Sequence, residues 1–143
     1  MNSKLLSPKV AFNKYGIPSL NNRNLILFDV PAYLEIGVIP KKIYCNKDLV
    51  LPLSKAFTNL IERYKINELK TWDGCFNIRL QRGSKFLQSL HSWGLAIDIN
   101  AFENGLNQKP KLSFDFVNCF LDAGFNWGGY FTRPDGMHFE LKG

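Results

Sequence analysis

Apolar positions in residues 51–65 recur at helical spacing. Leu53, Ala56, Phe57, Leu60, Ile61 and Tyr64 fall on one stripe, with Lys55, Asn59, Glu62 and Arg63 between them. The spacing predicts a helix that lays its stripe on a sheet. Two later segments alternate instead: residues 95–100, LAIDIN, and 137–141, MHFEL, predict half-buried strands. Residues 25–30, LILFDV, read as a short strand ended by Pro31, and residues 69–72 as another. Ser113 and Gly124 bracket a second helix over 113–123, as N-cap and stop. Gly37 and Pro40 leave residues 36–44 open between short extended pieces and turns. Residues 1–24, punctuated by Pro8, Gly16, Pro18 and Asn21-Asn22, read as an irregular arm packed on the rest. Strands and helices do not follow a regular βαβ order, so the pattern favours α+β over a doubly wound sheet.

At 143 residues the chain is expected to form a single domain, 1–143. Twelve Phe, five Tyr and three Trp in a 45% hydrophobic chain exclude a disordered protein. Three cysteines, Cys45, Cys75 and Cys119, with no CxxC pair, argue against a disulfide framework and against a thiolate zinc site. No apolar run reaches the ~18 residues a membrane span needs, and the N-terminal residues carry no apolar core of a secretory signal. Synthesis in a cytoplasm without membrane insertion is therefore expected. The net charge of +6 draws the chain toward an anionic partner. Because the basic residues are spread along the chain instead of clustering with exposed aromatics, nucleic acid is not the expected partner.

The chain has two histidines, His91 and His138, each beside an alternating segment. In LAIDIN, Leu95, Ile97 and Ile99 point one way, and Ala96, Asp98 and Asn100 the other. In MHFEL, Met137, Phe139 and Leu141 share a face, leaving His138 and Glu140 opposite. With both apolar faces on the core, Asp98 and His138 emerge together, and Gly94 lets the chain turn sharply enough for His91 to join them. Two imidazoles and one carboxylate suit a catalytic zinc with a position left open. A non-haem iron site is the chemical rival, but six residues separate His91 from Asp98, where such oxygenases use a tighter pair. Manganese and cobalt accept the same ligands. Asp135, in the turn before His138, is placed to accept the proton of an attacking water; Pro134-Asp135-Gly136 is also ordinary turn chemistry.

Residues 89–98, SLHSWGLAID, fit SxHxxGxAxD, and Asp135-Gly136-Met137-His138 fits a later [ED]xxH element. In these motifs the chain resembles the zinc D-alanyl-D-alanine carboxypeptidase and L-alanyl-D-glutamate peptidase family, including its phage endolysin branch. The resemblance covers roughly residues 70–140. It implies a Hedgehog/DD-peptidase-like fold, an antiparallel sheet with flanking helices. It implies His91, Asp98 and His138 as Zn2+ ligands, Asp135 as general base, and an upstream arginine that steadies the oxyanion. Arg79 matches that position best, with Arg82 as competitor. Ser89 is a candidate for site support or substrate contact, and Glu140, on the face of His138, for orienting it. Trp93 and Trp127 read as core.

The expected activity is hydrolysis of an amide bond in the peptidoglycan stem peptide, between L-Ala and D-Glu, by a monomer acting as a phage endolysin on the wall after release. The carboxypeptidase branch typically carries Glu where Asp135 stands, which tilts the expectation toward the endopeptidase. D-alanyl-D-alanine carboxypeptidase activity and an inactive zinc-binding module are the alternatives.

Overall fold

The computed structural model describes residues 6–143. Among them are three α-helices and two antiparallel sheets, an α+β architecture. Helix α1 (Pro8–Tyr15) is followed by strands β1 (Leu25–Asp29) and β2 (Lys42–Asn46), which pair with each other. Helix α2 (Val50–Glu62) leads to β3 (Trp72–Gly74) and β4 (Ala96–Ile99). Helix α3 (Phe114–Leu121) then precedes β5 (Phe125–Trp127) and β6 (His138–Leu141). The larger sheet has the order β3-β4-β6-β5, so the last strand of the chain sits beside β4 at its centre.

Helix α2 presents Leu53, Ala56, Phe57 and Leu60, all fully buried, as the expected stripe. Its end differs from the pattern, because Tyr64 takes a left-handed φ of 58° and turns its ring into solvent. Asn59, placed by spacing on the polar side, is buried and donates from Nδ2 to the Cys119 carbonyl at 2.9 Å. Helix α3 is capped as expected, the Ser113 hydroxyl accepting from the Phe116 N–H at 3.1 Å. Helices α2 and α3 share one core with Ile97, Ile99, Phe125 and Phe139 of the sheet. At its centre Phe120 stacks on Phe139 with ring centroids 4.4 Å apart. Cys45, Cys75 and Cys119 are buried free thiols.

Two readings need correction. Residues 8–15, expected to be irregular, form α1. Ser7 accepts from the Val10 N–H, Pro8 opens the first turn, and Gly16 ends the helix at φ 81°. Residues 1–5 of that arm lie outside the described residues. The strand expected at 69–72 forms instead at Trp72–Gly74, because the Asn100 side chain takes the N–H groups of Lys70 (2.8 Å) and Thr71 (3.1 Å).

The second face of β4 is not open along its length. Leu6, Ala11 and Tyr15 of the N-terminal segment pack with Leu90, Trp93, Leu95 and Ala96 and close one end of it. Asp98, further along, stays partly accessible.

Candidate metal centre

Strand pairing sets two of the three candidate ligands. In the β4–β6 ladder Asp98 stands directly opposite His138, so both side chains leave the sheet on the same face. His91 comes from a short helical turn over Leu90–Trp93. The Ser89 hydroxyl caps that turn by accepting from the His91 N–H at 3.2 Å. Gly94 then reverses the chain at φ 67°, and a Cβ there would stand 2.6 Å from the Asn46 backbone nitrogen. Glycine is required for both the turn and the close approach.

His91 Nε2 lies 3.2 Å from Asp98 Oδ2, and His138 Nδ1 lies 3.5 Å from Asp98 Oδ1. Neither contact satisfies a hydrogen bond: His91 Nε2, Asp98 Oδ1 and His138 Nδ1 are buried without any partner. Each imidazole is tied down at its other nitrogen. His91 Nδ1 meets the Cys75 carbonyl at 2.6 Å, and His138 Nε2 meets Glu140 Oε1 at 2.7 Å. A carbonyl and a carboxylate accept only, so those two nitrogens carry protons, and the inward-facing ones are the nitrogens that would offer lone pairs to a metal.

Ligand atoms of His91, Asp98 and His138 all lie within 4.8 Å of one another. Ligands about 2.0–2.1 Å from a tetrahedral zinc stand about 3.3 Å apart, which the two contacts to Asp98 approximate. Buried, unpartnered polar atoms facing one another are costly unless something fills the space between them. The donor set therefore fits a divalent metal.

The protonation preferences follow from the same geometry. Burial pushes the Asp98 carboxyl up, but the imidazoles of His138 and His91 outweigh it and hold it far below the usual carboxylate range. Burial pushes His138 down, but Asp98 and Glu140 outweigh it and lift it to about 9. Burial also pushes Asp135 up, an effect His138 and Arg82 only partly oppose.

Asp135 is held by its backbone. Its N–H donates to the Gly128 carbonyl at 2.9 Å, and its own carbonyl accepts from the His138 N–H at 3.1 Å. Its Oδ1 is the fourth buried polar atom without a partner. Beside it opens a cleft of about 290 Å³ lined by Arg79, Arg82, Arg133, Phe131, Asp135 and His138, among others. A second opening is lined by Asp73, Asn77, Arg79, His91 and Asp98, among others. Arg79 borders both.

Sequence reasoning thus named residues that the fold brings together: His91, Asp98, His138 and Asp135 at the centre, Glu140 behind His138, and Arg79 and Arg82 along the cleft. Ser89 lies on the cleft wall with its hydroxyl used as a cap. Reasoning from sequence missed Cys75, which acts through its carbonyl and leaves no side-chain signal. It also missed Gly128 and Arg133; their positions depend on how the loop before β6 folds back.

No curated protein and no solved structure matches the chain. Residues 82–141 match the family model described as D-alanyl-D-alanine carboxypeptidase. That segment holds His91, Asp98, Asp135 and His138, while Arg79 falls just ahead of it. Over the part that builds the candidate metal centre, the chain is similar to the D-alanyl-D-alanine carboxypeptidase family.

Proposed function

We propose that the protein is a zinc peptidase that hydrolyses an amide bond of the peptidoglycan stem peptide, the one between L-Ala and D-Glu. The carrying observation is that His91 Nε2, Asp98 Oδ1 and His138 Nδ1 are buried and unpartnered in a cluster of three ligands, with the buried, unpartnered Asp135 Oδ1 on the cleft that His138 also lines. Three would hold the metal, and the fourth would handle the proton.

Zinc, when bound by His91, Asp98 and His138, would supply Lewis acidity toward the scissile carbonyl and toward water. Asp135 accepts the proton of the attacking water on its buried carboxylate and later passes it to the leaving amine. Burial raises its affinity for that proton, as a shuttle requires. Arg79 directs guanidinium donors at the developing oxyanion. Its backbone is clamped to the segment carrying His91: the Ser92 hydroxyl bonds to its N–H at 3.0 Å and to its carbonyl at 2.9 Å.

Two features favour internal cleavage over removal of a terminal residue. Two openings border the centre, one lined by His138 and the other by His91 and Asp98, which would give room for peptide on more than one side of the scissile bond. The base is Asp, as in the endopeptidase branch that the motifs resemble. The setting proposed is a monomeric phage endolysin; the net charge of +6 would hold it on an anionic wall. Among the described residues no helix is long and apolar enough to cross a membrane.

Purified peptidoglycan treated with the wild-type protein, with and without chelator, and with Asp135→Asn tests this reading. New N-terminal D-Glu ends by mass spectrometry, lost with chelator and reduced about 10²–10⁴-fold in the variant, are expected. Release of free D-Ala would move the activity to the carboxypeptidase branch. Absence of any product from zinc-loaded protein would sink the peptidase reading.

A further inference from the structure

Arg79, Arg82 and Arg133 all line the cleft beside Asp135, yet among the described residues none of them stands in an ion pair with a carboxylate. The other carboxylate of that cleft, Glu140, is engaged by His138 at 2.7 Å. Three guanidiniums facing one cavity repel each other, and an anionic ligand would relieve that repulsion.

Arg82 and Arg133 come from two different loops that meet at this cleft. Arg82 sits in a turned-back loop closed by the Leu80–Gln88 bridge and by the Gln81 N–H to Leu87 carbonyl bond of 2.7 Å. Arg133 belongs to the loop before β6, which is fastened by the Asn107 N–H to Pro134 carbonyl bond of 2.6 Å and the Leu106–Asp135 bridge. The Arg133 side chain reaches over Gly83, where a Cβ would meet its Nη1 at 2.9 Å. Gly83 lies at φ +81°, so the bare backbone there serves both the turn and the passage of Arg133.

We propose that Arg82 and Arg133 form a carboxylate-binding subsite, which selects stem peptides by a free carboxylate beside the scissile bond. This rests on the peptidase reading and adds a specificity determinant to it. Guanidinium groups bind carboxylates through charge-assisted, often paired hydrogen bonds, which an uncharged carboxamide cannot replace. A lysine-type peptidoglycan stem, the kind used in the test, offers two such groups: the α-carboxyl of γ-linked D-Glu and the carboxyl at the peptide's C-terminus.

The test reads binding, using zinc-loaded Asp135→Asn protein so that the peptide stays intact. Titration calorimetry compares a stem tetrapeptide having both carboxyls free with one amidated at D-Glu and one amidated at the C-terminus. One of the two amides is expected to bind about ten- to a hundredfold more weakly, and which one names the source. Adding Arg82→Gln or Arg133→Gln should bring that ratio close to one. Equal binding of all three peptides, or a ratio that survives both substitutions, would overturn the subsite. Failure of the wild-type protein to cut any stem peptide while the binding ratio holds would instead count against the peptidase reading alone.

Discussion

The His138 imidazole gives its Nε2 proton to Glu140 Oε1 at 2.7 Å, and this bond decides which nitrogen faces Asp98. Glu140 sits two residues along β6, on the same face, so the strand's own period supplies the orienting carboxylate. Without it the ring could flip and present a protonated nitrogen to the centre.

Glu140→Ala is therefore expected to weaken zinc binding about 10–100-fold. Glu140→Gln, whose amide oxygen can still accept, should lose less. Competition titration against a chelator of known affinity checks both. Equal affinity in all three proteins would mean that packing alone orients His138.

In metal-free protein His138 is lifted to about 9, with burial opposing and the Asp98 and Glu140 carboxylates prevailing. A free imidazole titrates near 6.5. Its contribution to stability is thus complete below about pH 6.5 and is lost as pH rises through about 9. Asp98 acts at the other end, its contribution being present at neutral pH and lost only in strong acid. A metal must displace the His138 proton, so apparent zinc affinity should tighten by up to about tenfold per pH unit between 6.5 and 8.5. Denaturant midpoints of chelated protein should fall over the same range, and His138→Gln should flatten that fall.

The centre was legible because its ligands obey the simplest sequence period. Alternation placed Asp98 and His138 on one face, and the two strands proved to be direct neighbours. Gly94 was visible as a turn, although its contact with Asn46 was not, since β2 lies far away in sequence. Helix α1 was missed although Ser7, Pro8 and Gly16 are good boundary residues: its eight positions bury only Ala11 and Tyr15 and leave almost no apolar stripe. Arg133 and Gly128 were out of reach for a different reason. Their roles arise where a loop folds back on itself, and no periodicity records that.

Gly128 tests how tightly that loop is set. A Cβ there would meet the Asp135 carbonyl oxygen, and would lie 3.1 Å from His138 Cβ. Both neighbours are backbone or backbone-proximal and cannot step aside cheaply. Gly128→Ala should destabilise the fold by about 1–3 kcal/mol and shift Asp135 from its place. Peptidoglycan cleavage by the folded fraction should fall more than tenfold, because misplacing a catalytic group by about 1 Å costs on the order of 10²-fold. Thermal unfolding with a cleavage assay separates the two effects; a destabilised but fully active variant would show that Asp135 tolerates displacement.

Removing the metal should cost stability as well as activity. Three of the four unpartnered buried atoms, on His91, Asp98 and His138, would be satisfied by a bound ion. Binding to the folded state alone adds about 4 kcal/mol when free zinc is a thousandfold above its dissociation constant. For a domain of this size that corresponds to a rise in Tm of upwards of about 10 °C. Scanning calorimetry on zinc-loaded and chelated protein at pH 7.5 reads the difference directly. Asp98→Asn should shrink it, since the amide neutralises the central ligand while keeping its shape. If zinc left Tm unchanged in the wild-type protein, the three side chains would have to be a charge network in their own right, with the His138 proton taking the metal's place.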